Sequence, residues 1–238
     1  MDCKVSMTLS GPGVANVLQK MGNPLNASES LVSLDEQTSA LVRLAARITG
    51  GSELDVRSGL AECGAVAVPD LWVEELILQS YLFAGFPRAL NAAREWRRVG
   101  DLARVTRDPE AGAESYADVD DWRARGESTC AMVYGEMYEK LRGNIRRLHP
   151  EFDEWMIVEG YGKVLSRKGL DLPRRELCIV AACVAAQQDR QLHSHLHGAL
   201  NAGASRAAVD ATLAAIRDVV PEGAIVSASL LWNRVKSK

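Results

Sequence analysis

Aromatic side chains are scarce, at 5% of the chain. Long alternating runs of β-branched residues are missing as well. A sheet-rich core draws on both, so their absence argues against one. No apolar run reaches the about 18 residues that a membrane-spanning helix needs. The first residues, MDCKVSMTLSGPGV, lack a basic cluster followed by an apolar core, so no secretion signal is expected. Basic charge is not in excess: the net charge is -3, which leaves no electrostatic footprint for nucleic acid. The five cysteines are scattered without framework spacing and read as free thiols in a reducing cytoplasm.

What is present favours helices. Ala, Leu and Val dominate a chain that is 47% hydrophobic. Its 238 residues suit one large domain or two small ones. Residues 1–32 hold Gly11-Pro12-Gly13 and Gly22-Asn23-Pro24 and read as a mostly irregular arm, with one helical turn around Val14–Met21. Ser33 and Glu36 have capping-box spacing and open a helix with Leu34, Leu41, Leu44, Ala45 and Ile48 on one face. Helices are expected over Glu53–Cys63, from Pro69-Asp70 to Gly85, and from there to Val99. Glu74 and Glu75 fall in the early turns of the third, where the helix dipole favours anions.

Residues 100–121 are acidic, small and aperiodic, and read as a linker. Helical sequence resumes at Trp122. A helix ending near Arg167 precedes one with Pro173 in its first turn, a place proline tolerates. Helices near Ala207–Val219 and Ile225–Val235 close the chain.

The chain also repeats itself. SALVRLAARI matches RELCIVAACV, GLAECGA matches GALNAGA, and REWRRV matches LLWNRV, at separations of 136 to 139 residues. Solenoid repeats run about 20–50 residues, so this period reads as a duplicated unit.

Titratable chemistry concentrates between Pro173 and Gly203, which hold three of the four histidines, two of the five cysteines and Glu176. Consecutive antiparallel helices with a turn near Gln187–Asp189 would bring Glu176 and His195 together. An imidazole held by a carboxylate carries protons near neutral pH. The bland alternative is that Glu176 pairs with Arg174 or Arg175 and His195 is a satisfied core residue. His193 and His197 share a helix face, about 200° from His195. A metal on that pair would need a third ligand, and none is evident, so no metal is assigned. Cys178 and Cys183 lie in an apolar run and read as buried thiols. An anionic substrate would need a cation, for which Lys163 and Arg167 are candidates, though Arg167 also suits a role tying the loop before Asp171.

Tyr161–Asp171 (YGKVLSRKGLD), Arg174–Leu177 (RREL) and His195–Gly203 (HLHGALNAG) follow in the order and spacing of a known family. The second half resembles the carboxymuconolactone decarboxylase family, which includes the alkylhydroperoxidase D type. Through the repeat, residues 38–99 resemble it too, with FAGFPRALNA as the typical ending of a unit. The resemblance implies an all-α fold of two tandem alkylhydroperoxidase D-like helical units, over 33–99 and 122–238, and a homo-oligomer.

In the peroxidase branch a glutamate is followed by Cys-x-x-Cys, with a histidine four residues on. Here Glu176 and His195 fill the outer positions, and Gln188 and Gln191 stand where the cysteines would be. Without a thiol pair, dithiol peroxide reduction lacks its electron source. The decarboxylase branch keeps the histidine but not the cysteines. Lys163 stands where its members tend to carry glutamate.

The resemblance implies a carboxy-lyase-like enzyme that does acid/base chemistry, decarboxylation or lactone/enol isomerisation, without a cofactor. The substrate would be a small organic acid, with His195 and Glu176 catalytic and Gln188, Gln191, Lys163 and Arg167 binding. Two other readings stay open: a peroxidase-like antioxidant using Cys178 or Cys183 with an outside thiol, and a non-catalytic ligand-binding or assembly protein. The first unit is blank where it counts. The counterpart of Glu176 falls near Ala40, that of His195 on Val56 or Gly59, and no histidine precedes His149. It reads as a non-catalytic partner, doing within one chain what a second subunit does in single-unit relatives.

Overall fold

The computed structural model describes residues 33–99 and 119–237. Among these residues every regular element is a helix, so the all-α expectation holds. The arm 1–32 and most of the expected linker lie outside the described residues. Residues 119–121, counted as linker from their composition, are the first turn of a helix.

Residues 33–99 contain α1 (Glu36–Gly50), α2 (Glu53–Ala65), α3 (Asp70–Ala84) and α4 (Phe86–Val99). After them come α5 (Val119–Tyr134), a short 3-10 turn (Gly135–Met137), α6 (Tyr138–Leu148), α7 (Pro150–Trp155) and a π-helical segment (Met156–Leu165). The chain closes with α8 (Leu172–Ala185), α9 (Asp189–Asn201), α10 (Arg206–Ala215) and α11 (Glu222–Lys236).

Asp35, not Ser33, caps α1: its Oδ1 accepts from the Thr38 N–H at 2.6 Å. Ser33 and Glu36 have the spacing of a capping box, but the aspartate reaches the free amides of the first turn. The reciprocal box forms instead at α2, between Ser52 and Asp55. Asp171 caps α8, accepting from the Arg174 N–H at 3.0 Å.

The centre of the molecule is the pair α1 and α8, lying side by side and parallel. At their N-terminal ends Arg174 donates to Thr38 Oγ1 at 2.8 Å and to Asp35 at 3.0 Å. At their C-terminal ends a Cβ added to Gly50 would stand 3.3 Å from the Ala185 Cβ. Leu41, Leu44, Ile48, Leu177 and Ile179 are fully buried there. Each such aliphatic side chain contributes about 1.5–3 kcal/mol by leaving water.

A buried ion cluster ties the halves together. Glu75 of α3 accepts from Arg175 at 2.6 Å and from Arg167 at 2.9 to 3.1 Å. Arg175 is fully buried and also donates to Gln79 at 3.1 Å and to the Leu170 carbonyl at 3.0 Å. Gly169 makes room for the acid, since a Cβ there would stand 2.5 Å from Glu75 Cγ.

The helix starts fall in register. Glu36, Glu53, Asp70 and Phe86 open α1–α4, and Leu172, Asp189, Arg206 and Glu222 open α8–α11, each 136 positions on. Local details recur at that spacing. Trp96 Nε1 donates to Glu74 at 2.6 Å, and Trp232 Nε1 to Asp210 at 2.6 Å. The turns after α2 and α9 both pass through positive φ, 53° at Ala67 and 105° at Gly203. The match of GLAECGA to GALNAGA at 139 residues is therefore displaced by about one helical turn, a slip that preserves the apolar face and so escapes pattern matching. At the common spacing, Gly59 stands where His195 does.

Candidate functional site

Glu176 lies in the second turn of α8, and the turn at Ala186–Gln188 reverses the chain into α9. Gln187 takes a positive φ of 55° in that turn. The reversal brings His195 against Glu176, with Nδ1 2.8 Å from Oε2. Both are buried: Glu176 has no exposed surface and His195 is 5% exposed. Glu176 pairs with neither neighbouring arginine. Arg174 is held by Asp171, Asp35 and Thr38, and Arg175 by Glu75 and Gln79.

Two features shape this pair. A Cβ on Gly198 would stand 2.7 Å from Glu176 Oε2 and 2.7 Å from Val133 Cγ1, so only glycine leaves the carboxylate its place beneath α5. The second carboxylate oxygen, Oε1, is buried without a hydrogen-bond partner among the described residues. A buried carboxylate oxygen so placed is costly unless a reactant or solvent completes it.

Aromatic rings wall the imidazole. Phe83 of α3 meets it edge-on at 5.6 Å, and Tyr134 of α5 at 6.4 Å. Tyr134 in turn meets Tyr161 of the π-helical segment edge-on at 6.1 Å. Burial pushes both phenols above their ordinary range, so they remain neutral hydroxyls. The π segment packs backbone to backbone on α5: a Cβ on Gly126 would strike the Ile157 carbonyl, and one on Gly162 the Trp122 carbonyl.

A pocket of about 190 Å³ is lined by Leu82, Phe83, Ala182, Cys183, Gln188 and Gln191; it shares Phe83 with the pair, and neither Glu176 nor His195 is among its lining residues. Gln188 and Gln191 both line this pocket. Burial, then the nearby Glu176 charge, pushes the Cys183 thiol up to about 12. It is therefore a protonated thiol at neutral pH. Cys63, Cys130, Cys178 and Cys183 are all free and buried.

The two cations lie elsewhere. Arg167 is engaged by Glu75. Lys163 lies 3.5 Å from Glu159 and 4.9 Å from the centroid of the Trp122 ring. Neither lines the pocket. His193 and His197 stack edge-on at 5.0 Å. Among the described residues no group of three or more His, Cys, Asp and Glu is placed to hold a metal.

At the 136-residue spacing, α1 and α2 carry neither group. Ala40 stands for Glu176, and Arg47 packs over Gly59, where a Cβ would lie 3.2 Å from Nη1. Arg47 then pairs with Glu62 at 2.7 Å. Phe83, Tyr134 and Gly198 were not marked as site residues from the sequence. Phe83 sits in the FAGF stretch and Gly198 in HLHGALNAG, so both lay within motifs. Tyr134 had no signal.

Residues 150–232 match the profile described as "Carboxymuconolactone decarboxylase family". Over 135 residues the chain is 30% identical to "Peroxisomal protein 2" of Schizosaccharomyces pombe, covering 56% of this chain and 62% of that protein. The chain thus spans less than two thirds of that relative's length. Among the described residues no helix is long and apolar enough to cross a membrane.

Proposed function

We propose, from the match of residues 150–232 to the carboxymuconolactone decarboxylase family, that this chain is an acid/base enzyme acting on a small organic acid or its lactone. The observation that carries this reading is the buried contact of 2.8 Å between His195 and Glu176. With Nδ1 held by the carboxylate, Nε2 is the nitrogen left to face a reactant. It takes a proton from an enolisable carbon and returns it to the product. Such a group is worth roughly 10²–10⁴-fold in rate.

The pocket that shares Phe83 with the pair supports a small substrate with an apolar body. The carboxamides of Gln188 and Gln191 can hydrogen-bond its carboxylate or carbonyl oxygens. In this reading Lys163 and Arg167 play no part in binding, since Arg167 already answers Glu75. A panel of small γ-lactone acids, followed by loss of ultraviolet absorbance, tests the proposal. Turnover by wild type that persists unchanged in His195→Ala refutes it.

Cys183 in the pocket lining favours a second reading, a one-cysteine peroxidase recycled by an outside thiol. Its protonated state weighs against this, because the thiolate is the nucleophile. A binding protein without turnover is the third reading. It predicts that His195→Ala leaves ligand affinity intact and that no substrate is consumed by either form.

We further read residues 33–99 and 122–238 as tandem units, the first supplying Phe83 to the site of the second. The exposed Leu148, Phe152 and Trp155 favour a homo-oligomer, which light scattering tests. The buried thiols favour the cytoplasm. The relative's name makes the peroxisome the competing location, and imaging a tagged chain against a peroxisomal marker decides between them.

A further inference from the structure

The hairpin of α8 and α9 holds the pocket and the Glu176–His195 pair in line. Gln188 and Gln191, at the start of α9, are exposed and mark the mouth of the pocket. His195 follows four residues after Gln191 on the same helix face, about 6 Å along the axis. Glu176 precedes Cys183 by seven residues, also on one face, about 10 Å along α8. The pair therefore lies farther from the hairpin turn than the pocket does. Neither member of the pair lines the pocket, yet Phe83 belongs to both: it is a pocket wall, and its ring meets the imidazole edge-on at 5.6 Å. We propose that Phe83 is a specificity-determining residue, a gate whose ring turns aside to let a reactant pass from the pocket to His195.

The placement of Phe83 suits a side chain that moves. It is half-buried, whereas the aliphatic core around Leu177 and Ile179 has no exposed surface. It is the penultimate residue of α3, and Gly85 just beyond takes a positive φ of 80° that glycine tolerates. Ends of elements such as this one absorb the dihedral changes of lids and gates. An edge-on aromatic contact favours the closed position by up to about 10-fold, which leaves an open fraction for passage. Closed, the ring leaves His195 only 5% exposed and keeps bulk water from the pair.

The pocket sets what the gate is offered. Among the described residues no charged side chain lines it. An apolar cavity of about 150 Å³ holds benzene, so a volume of about 190 Å³ accepts a flat ring of similar size. A polar edge on that ring would meet the carboxamides of Gln188 and Gln191. The gated reactant is thus a small ring compound, such as an unbranched lactone, and bulkier or branched compounds stop at Phe83.

This inference rests on the acid/base reading for its purpose, but its test reads access and not turnover. The full chain is treated with diethyl pyrocarbonate, which acylates a free imidazole nitrogen, and labelling of each histidine is followed by peptide mass spectrometry. In wild type His195 should react far more slowly than exposed His193. Phe83→Ala should raise the His195 rate by about 10-fold, and Phe83→Leu by less, with His193 unchanged. Iodoacetamide labelling of the buried Cys178 thiol should stay the same in all three proteins, because a gate opens one path and a loosened core opens many. A His195 rate equal in wild type and Phe83→Ala would overturn the proposal, and so would a rise shared by Cys178. A gate found in a chain that consumes no lactone defeats only the acid/base reading; turnover without a gate defeats only this one.

Discussion

Replacing Glu75 by alanine should be among the most damaging single changes in this chain. The acid sits on α3 and neutralises Arg175, which is fully buried on α8. Burial already pulls the Arg175 guanidinium below its ordinary pKa, with Glu75 opposing the shift. Without Glu75 the charge keeps hydrogen bonds to Gln79 and to the Leu170 and Arg167 carbonyls, but it has no buried counter-ion. Breaking one side of a buried pair costs about 3–5 kcal/mol. Arg167 adds less, because it lies at the edge of the cluster and can turn to solvent. At a urea m-value of about 2 kcal/mol/M the unfolding midpoint falls by about 1.5–2.5 M. The double variant Glu75→Leu with Arg175→Met removes both charges and should recover most of the loss, because apolar replacement of a whole buried pair is often neutral. A midpoint shift below about 0.5 M for Glu75→Ala, or a double variant as unstable as the single, would refute this reasoning.

Three further outcomes are expected. Gly198→Ala places a methyl 2.7 Å from Glu176 Oε2, and should cut turnover more than it lowers the melting temperature; equal activity would deny the tight fit. Iodoacetamide should leave Cys183 of the folded protein unlabelled at pH 8, because burial holds the thiol up to about 12; rapid labelling with loss of activity would favour the peroxidase reading. Burial raises the Asp153 carboxyl, but hydrogen bonds from Arg142 at 2.9 Å and Arg146 at 2.7 Å outweigh it and hold it below the ordinary 3.8. Its stabilising contribution is present above pH 3.8 and is lost as pH falls toward the folded value. Asp153→Asn should therefore flatten the acid limb of a melting-temperature profile, and an unchanged limb would refute the assignment.

Local chemistry was legible in the sequence, and long-range pairing was not. Gly50-Gly51, Gly85 and Pro173 marked helix ends because each acts through its own backbone. Glu176 and His195 were legible because one hairpin joins them. Glu74 and Glu75 read only as acids near a helix start. In the fold Glu74 accepts from Trp96 and Arg97 and Glu75 from Arg167 and Arg175, partners up to 100 residues away that no local pattern reveals. Arg167 was half legible: the loop-tying role fits its contact with Glu75. Phe83 reaches His195 across the two units, and Tyr134 approaches from a helix whose apolar pattern gave no hint of the site. The π-helical turn at Met156–Leu165 also escaped, since its apolar periodicity reads as an ordinary helix.

The most direct test of the dyad is nitrogen-15 histidine NMR on wild type and Glu176→Gln. The account predicts a slowly exchanging Nδ1–H on His195 in wild type, shifted downfield by the carboxylate, that moves or vanishes in the variant while His193 is unchanged. A His195 signal that exchanges with water as fast as that of exposed His193, and ignores the substitution, would contradict it.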